Sequence, residues 1–306
     1  MSRASLAAAF LAASSISALA ADIPGRVVKP SPAQATASSC LEKTGLPTDI
    51  FGFTGGTDVS DLGSLSGSAE YNGGFKTRFG SATNTLAKFQ LSYGLLNCLE
   101  VGPYLQGTFG RSSAQGFSTD SNAYGGGVEI KYKLLGRDVH GVGLTLVFEP
   151  NVNRGSIESK LFGFKLGSTD FTSANTSSRI LLDAQLAPRL FGALNLEHTA
   201  NWTGDNSYVR SSGLNIRAAL AYQLTETFYL GVEGSHQRAY TGNFLNKDLG
   251  HAFFTGPAFF WQISPSVSLT GAYNVQVTGR AKTELFNLDL TNFNQHLAKL
   301  KLAVSF

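Results

Sequence analysis

From about residue 67 to its last residue the chain repeats one pattern. Ten to thirteen residues alternate between apolar and polar, a turn signal follows, and alternation resumes. In His296 to Phe306 one parity carries Ala298, Leu300, Leu302, Val304 and Phe306, and the other carries Lys299, Lys301, Ala303 and Ser305. Period 2 puts these sets on opposite faces of a strand, whereas a helix would mix them. The same split recurs in Phe89, Leu91, Tyr93 and Leu95 against Lys88, Gln90, Ser92 and Gly94, and in Val128, Ile130, Tyr132 and Leu134 against Glu129, Lys131 and Lys133. Twelve strands are predicted, near 68–80, 85–96, 99–110, 122–135, 141–153, 178–188, 191–202, 212–223, 227–240, 250–262, 266–278 and 295–306. Short turns alternate with mostly longer polar loops near 111–121, 154–177, 203–211, 241–249 and 279–294; the first hairpin is the exception, with a short loop at 81–84.

A soluble sandwich also alternates, but its strands usually run five or six residues. These are about twice as long, the length that crosses a bilayer at a tilt. Hydrocarbon cannot satisfy backbone N–H and C=O groups, so a spanning sheet must close on itself. The expected fold is therefore all-β: a transmembrane antiparallel up-and-down barrel of about twelve strands over 67–306, its short turns periplasmic and its long loops outside. Tyr93, Trp202, Tyr222, Tyr240 and Trp261, near strand ends, are candidates for interfacial girdles.

Composition closes off other classes. Charged residues make up 15% of the chain and aromatics 11%, which is unlike a disordered segment. No mature apolar run approaches the eighteen residues of a transmembrane helix. A net charge of +3 is too small and too dispersed for a nucleic-acid surface. Residues 1–20 read as a secretory signal, with Arg3 basic, Leu6 to Ala13 apolar and Ala18-Leu19-Ala20 a small-residue cleavage site. Residues 21–66, holding Pro24, Pro30, Pro32 and Pro47 and then a Gly-rich run, read as an irregular periplasmic extension that could plug the barrel from below. Cys40 lies in that extension and Cys98 at a short turn. In an oxidising compartment they form either a disulfide tethering the extension to the rim or two unpaired thiols. Neither has metal-ligand spacing, and no metal or cofactor is expected.

The signal followed by Ala21-Asp22-Ile23-Pro24, and the ending Lys-Leu-Ala-Val-Ser-Phe, resemble alphaproteobacterial outer-membrane β-barrel proteins of the porin-like kind. The resemblance implies that Leu302, Val304 and Phe306 are read by the barrel-assembly machinery. It also implies an outer-membrane location, with outer-membrane lipid and lipopolysaccharide as surroundings.

Taking the polar parity as the lumen gives a mixed-charge interior. Glu70, Lys88, Glu100, Glu129, Lys131, Lys133, Glu149, Arg179, Asp183, Glu197, Arg217, Glu233 and Arg280 belong to it. If the barrel closes, Lys76, Arg78, Lys299 and Lys301 share one basic wall, a candidate anion track. The function expected is passive diffusion of small hydrophilic solutes with slight anion preference. A barrel of twelve strands lies between side-chain-filled and open sizes, so a sealed structural or surface-binding barrel is the alternative. The 154–177 segment, with Leu161, Phe162, Phe164 and Leu166, could constrict the lumen or cap the rim. Tyr104, Tyr229, Phe254 and Phe260 on the inward parity could stack sugars. Lipid hydrolysis is a lesser alternative: Ser235 and His236 are adjacent and point to opposite faces, and no Gly-x-Ser-x-Gly or His-Glu-x-x-His occurs. No catalytic residue is assigned.

Overall fold

A computed structural model gives the architecture. It describes residue 40 and residues 49–77, 80–205 and 207–306; the expected signal, most of the stretch up to residue 48, and Arg78 lie outside the described residues. The strands are β1 (Leu65–Phe75), β2 (Ser81–Leu96), β3 (Leu99–Ala114), β4 (Phe117–Leu135), β5 (Gly143–Leu161), β6 (Phe164–Ala187), β7 (Leu190–Gly204), β8 (Val209–Gln223), β9 (Phe228–Thr241), β10 (Lys247–Ser264), β11 (Val267–Ala281) and β12 (His296–Ser305), with one helical turn, α1 (Arg137–His140), between β4 and β5. Each strand pairs antiparallel with the next, and β12 returns to β1, closing a twelve-strand barrel. Across that seam Glu70 faces Lys301 and Asn72 faces Lys299.

Alternation sets the two faces. Phe89, Leu91 and Leu95 of β2, Leu105 of β3, Ile130 of β4, Leu194 of β7 and Leu300 of β12 are exposed on the outer wall. A continuous apolar belt of this extent marks a surface that meets lipid or another apolar partner. Tyr93, Tyr222 and Trp261 stand exposed near the strand ends at the edge carrying the β2–β3 turn, here termed the lower end. Tyr240 does not join a girdle, because it is buried, 9% exposed.

Three expectations from the sequence are corrected. Residues 81–84 are not the loop of the first hairpin but the start of β2. The segments 111–121 and 154–177 are not loops: β3 and β4 run on to a two-residue turn at Gln115-Gly116, and β5 and β6 to one at Phe162-Gly163. All four turn residues have positive φ (51° and 83°, 48° and 87°), the backbone that lets a two-residue turn follow the strand twist. The tips are joined, Phe162 N donating to Gly116 O at 2.6 Å, so 154–177 enters no lumen. Thirdly, Arg280 faces outward. A bulge pairs Phe253 with Thr278 and Phe254 with Gln276, and the extra residue reverses the parity of β11 above it.

Candidate functional site

Residues 49–64 run around the inside of the wall near the lower end before entering β1, and form an inner belt. Its attachment begins beside β12, where Asp49 pairs with Lys301 and Thr270 Oγ1 of β11 donates to Asp49 O at 3.3 Å. Ile50 and Phe51 then pack with Phe191, Ala193, Ala219, Ala221, Tyr229 and Phe260, which lie on β7 to β10. At Gly52 a Cβ would stand 2.1 Å from Glu233 Oε1 and 2.4 Å from Ala272 Cβ, so the belt lies too close to the wall for any side chain there.

Three hydroxyl residues spaced by three then meet three carboxylates. Thr54 donates to Glu233 of β9 through its N–H (2.7 Å) and its hydroxyl (3.0 Å), and Phe53 N–H adds a bond at 3.0 Å. Thr57 gives Asp183 of β6 its N–H and hydroxyl, both at 2.8 Å. Ser60 does the same for Glu100 of β3, at 2.7 and 2.9 Å. Between them Asp58 is held by Lys133 of β4 (3.2 Å) and by Arg137 of α1 (2.5 Å), and Arg137 also reaches Asp183 at 2.7 Å. The circuit ends at β2, where Gly63 N donates to Gly94 O at 2.8 Å. A disulfide joins Cys40 to Cys98 in the β2–β3 turn, with Cα atoms 5.8 Å apart.

Buried carboxylates need partners, and hydrogen bonds to a charged group are the stronger kind. Each of these three receives a backbone N–H and a hydroxyl from the belt. Burial alone would push the Asp49 carboxyl above its ordinary range, but Lys301, Lys131 and Lys299 outweigh it and hold the carboxyl well below the ordinary carboxylate range.

Above the belt the lumen is crossed by ion pairs. Lys88 meets Glu149 at 2.7 Å and lies 3.9 Å from the Tyr104 ring centre. Arg179 bridges Glu129 (2.5 Å) and Glu149 (2.6 Å), Arg217 pairs with Glu197 (2.7 Å), and Lys131 lies between Glu100 (3.3 Å) and Glu129 (3.4 Å). On the proposed basic wall, Lys299 is 3.4 Å from Glu70 and Lys301 is paired with Asp49, while Lys76 stands in the turn after β1. The wall is thus interleaved with carboxylates, so it does not present one sign of charge.

Two polar cavities flank the belt. One of about 180 Å³ lies above it, and a vestibule of about 820 Å³ opens below. Asp49, Gln90, Glu129, Lys131 and Lys301 line both, so the cavities adjoin at a narrow polar septum. At the upper end the segment after β11 folds inward. Asp289 and Leu290 are buried, Gln276 Nε2 donates to Asp289 O at 3.2 Å, and Phe293 packs edge-on against Phe254.

Parity in the sequence brings the lumen charges together; it does not reveal the belt. Of the four inward aromatics, Tyr229 and Phe260 seat Phe51, Phe254 packs on Phe293 and Tyr104 lies beside Lys88, so they form no exposed sugar slide. Asp49, Thr54, Thr57, Asp58, Ser60 and Arg137 hold the belt to the wall, and the sequence alone leaves them unassigned. The signal that could have found them is Thr-x-x-Thr-x-x-Ser inside the Gly-rich run, set against unpaired inward carboxylates. Leu302 faces outward on β12, Val304 shares its parity, and Phe306 is exposed just beyond the strand. Among the described residues no His, Cys, Asp and Glu cluster could hold a metal ion.

The fold is similar to solved outer-membrane barrels. The β-domain of the Bordetella autotransporter BrkA matches with a TM-score of 0.60 at 10% identity, over 80% of this chain and all of that one. The translocator domain of the autotransporter NalP from Neisseria meningitidis gives 0.55 at 12%, over 82% and 91%. An outer membrane channel from Pseudomonas putida F1 gives 0.53 at 12%, over 82% and 98%. No curated protein shows significant similarity to the chain. Residues 47–306, which hold both the belt and the barrel, match a family profile, and the chain belongs to that family, one of unknown function (DUF6662).

Proposed function

We propose that the chain is an outer-membrane channel for passive diffusion of small hydrophilic solutes, narrowed by the inner belt to a small aperture. The observation that carries this reading is the pair of polar cavities adjoining at the Asp49, Gln90, Glu129, Lys131 and Lys301 septum. A barrel that served only as a scaffold would be expected to fill this interior with packed side chains. The apolar outer belt and the similarity to outer-membrane barrels support the membrane placement, with the lower end periplasmic and the outward face of β12 offered to the assembly machinery. Interleaved acids and bases support weak ion selectivity in place of an anion preference, because selection needs one dominant sign.

Liposome swelling tests the reading. Proteoliposomes of the refolded chain should admit glycine and small sugars and exclude trisaccharides. Barrels that shift on heating, as folded barrels do, but admit no solute would support the sealed alternative instead.

A further inference from the structure

Outward positions of β9 read, from the lower end upward, Leu230, Val232, Gly234, His236 and Arg238, so the face turns from apolar to basic. Arg238 stands opposite His251 of β10, and His251 stands opposite Arg280 of β11. The bulge that turned Arg280 out of the lumen completes this row. The His236 ring lies 5.7 Å from that of His251. Like charges directly opposite each other in a sheet are destabilising. Here no carboxylate stands opposite: the other strand neighbour of Arg238 is Leu214, and Asp248 nearer the rim is engaged by Lys282 at 3.2 Å. Both arginines are exposed. The row has the charge of an anion site, and among the described residues no carboxylate stands opposite it on a neighbouring strand.

Its height also matters. Ten residues of β10 separate Trp261, at the lower edge, from His251. At about 3.3 Å per residue and a tilt near 40°, that is about 25 Å of membrane, the height of a barrel's apolar band. The row therefore sits where the hydrocarbon of the outer leaflet gives way to headgroups. Directly below it, an apolar groove of about 560 Å³ crosses the outer wall, lined there by Leu194, Ala218, Leu220, Val232, Gly234 and Thr255.

We propose that this face binds a phosphorylated lipid of the outer leaflet, with phosphate on Arg238, His251 and Arg280 and an acyl chain in the groove. The proposal rests on the outer-membrane placement and is independent of conductance through the lumen.

Native mass spectrometry of the refolded chain in dodecyl maltoside tests it, after a heat-shift gel has shown a folded barrel. Bis-phosphorylated lipid A should bind at least ten-fold more tightly than the same lipid stripped of phosphate, and inorganic phosphate alone should not bind. Arg238→Gln with Arg280→Gln should weaken binding at least ten-fold while the heat shift persists. Gly234→Leu fills the groove from a position where an added Cβ meets nothing closer than 3.4 Å, and it should weaken binding several-fold. Equal affinity for the dephosphorylated lipid, unchanged binding by the double variant, or occupancy by phosphate alone would overturn the proposal. Unchanged binding by Gly234→Leu would overturn its acyl half. A chain with no heat-shifted band would instead fail the barrel reading, before any lipid is added.

Discussion

Thr57 shows how the belt is held at the scale of one residue. Its N–H and hydroxyl occupy both oxygens of Asp183, and Thr145 Oγ1 donates to its carbonyl at 2.5 Å. A hydrogen bond to a charged group contributes about 1.5–3 kcal/mol, and more is lost when the charge is left short of partners. Thr57→Val should therefore lower the unfolding free energy of the refolded barrel by about 2 kcal/mol in urea titration. Thr225→Val, where the exposed hydroxyl meets no charged group but only Thr227, through Oγ1 at 3.5 Å and N–H at 3.3 Å, should shift it far less. Asp49 adds a pH dependence. Its carboxyl is held below the ordinary 3.8, so its contribution is complete above that pH and is lost only as pH falls below it. Conductance should stay constant from pH 7 to pH 3, because the carboxyl stays ionised and paired with Lys301, whereas Asp49→Asn should give a raised level throughout. A wild-type rise near neutral pH would mean that another group holds the belt.

At the scale of elements, the strands were legible where one face meets an apolar surface and the other the lumen. Phe89, Leu91 and Tyr93 alternate with Lys88, Gln90 and Ser92 for that reason. Higher up, both faces of β5 and β6 carry Ser, Thr, Asn and Asp in no alternation, because both are wet, and the hairpin looked like a loop. Its two-residue turn was hidden too, since Phe-Gly replaces the Asn-Gly that usually announces one. The lumen pairs of this hairpin, Glu149 and Arg179, lie well below its tip. Deleting 156–170 and joining Gly155 to its partner Phe171 through Asn-Gly should therefore leave single-channel conductance unchanged. A severalfold increase would place a constriction in the upper hairpin. The disulfide belongs to this scale as well: reduction, or Cys40→Ser with Cys98→Ser, should keep the heat shift and increase current noise, because the belt loses its tether at the β2–β3 turn.

For the whole molecule, barrel closure and most of the inward parity could be read from the chain, while the partners of the belt on the wall could not. Thr54, Thr57 and Ser60 meet partners 179, 126 and 40 residues away, and those partners sit on three strands whose spacing around the wall exists only once the barrel has closed. The same circuit adds charges that a count over the strands omits: Asp49 pairs with Lys301, and Asp58 with Lys133 and, together with Asp183, with Arg137. The central claim is that this belt sets the size of the aperture. Single-channel recording in planar bilayers tests it, comparing the refolded chain with Thr54→Ala, Thr57→Ala and Ser60→Ala combined. The native chain should give small steps with a reversal potential near zero in a salt gradient, and the variant steps at least several-fold larger with similarly weak selectivity. Equal conductance from two barrels that both shift on heating would contradict it.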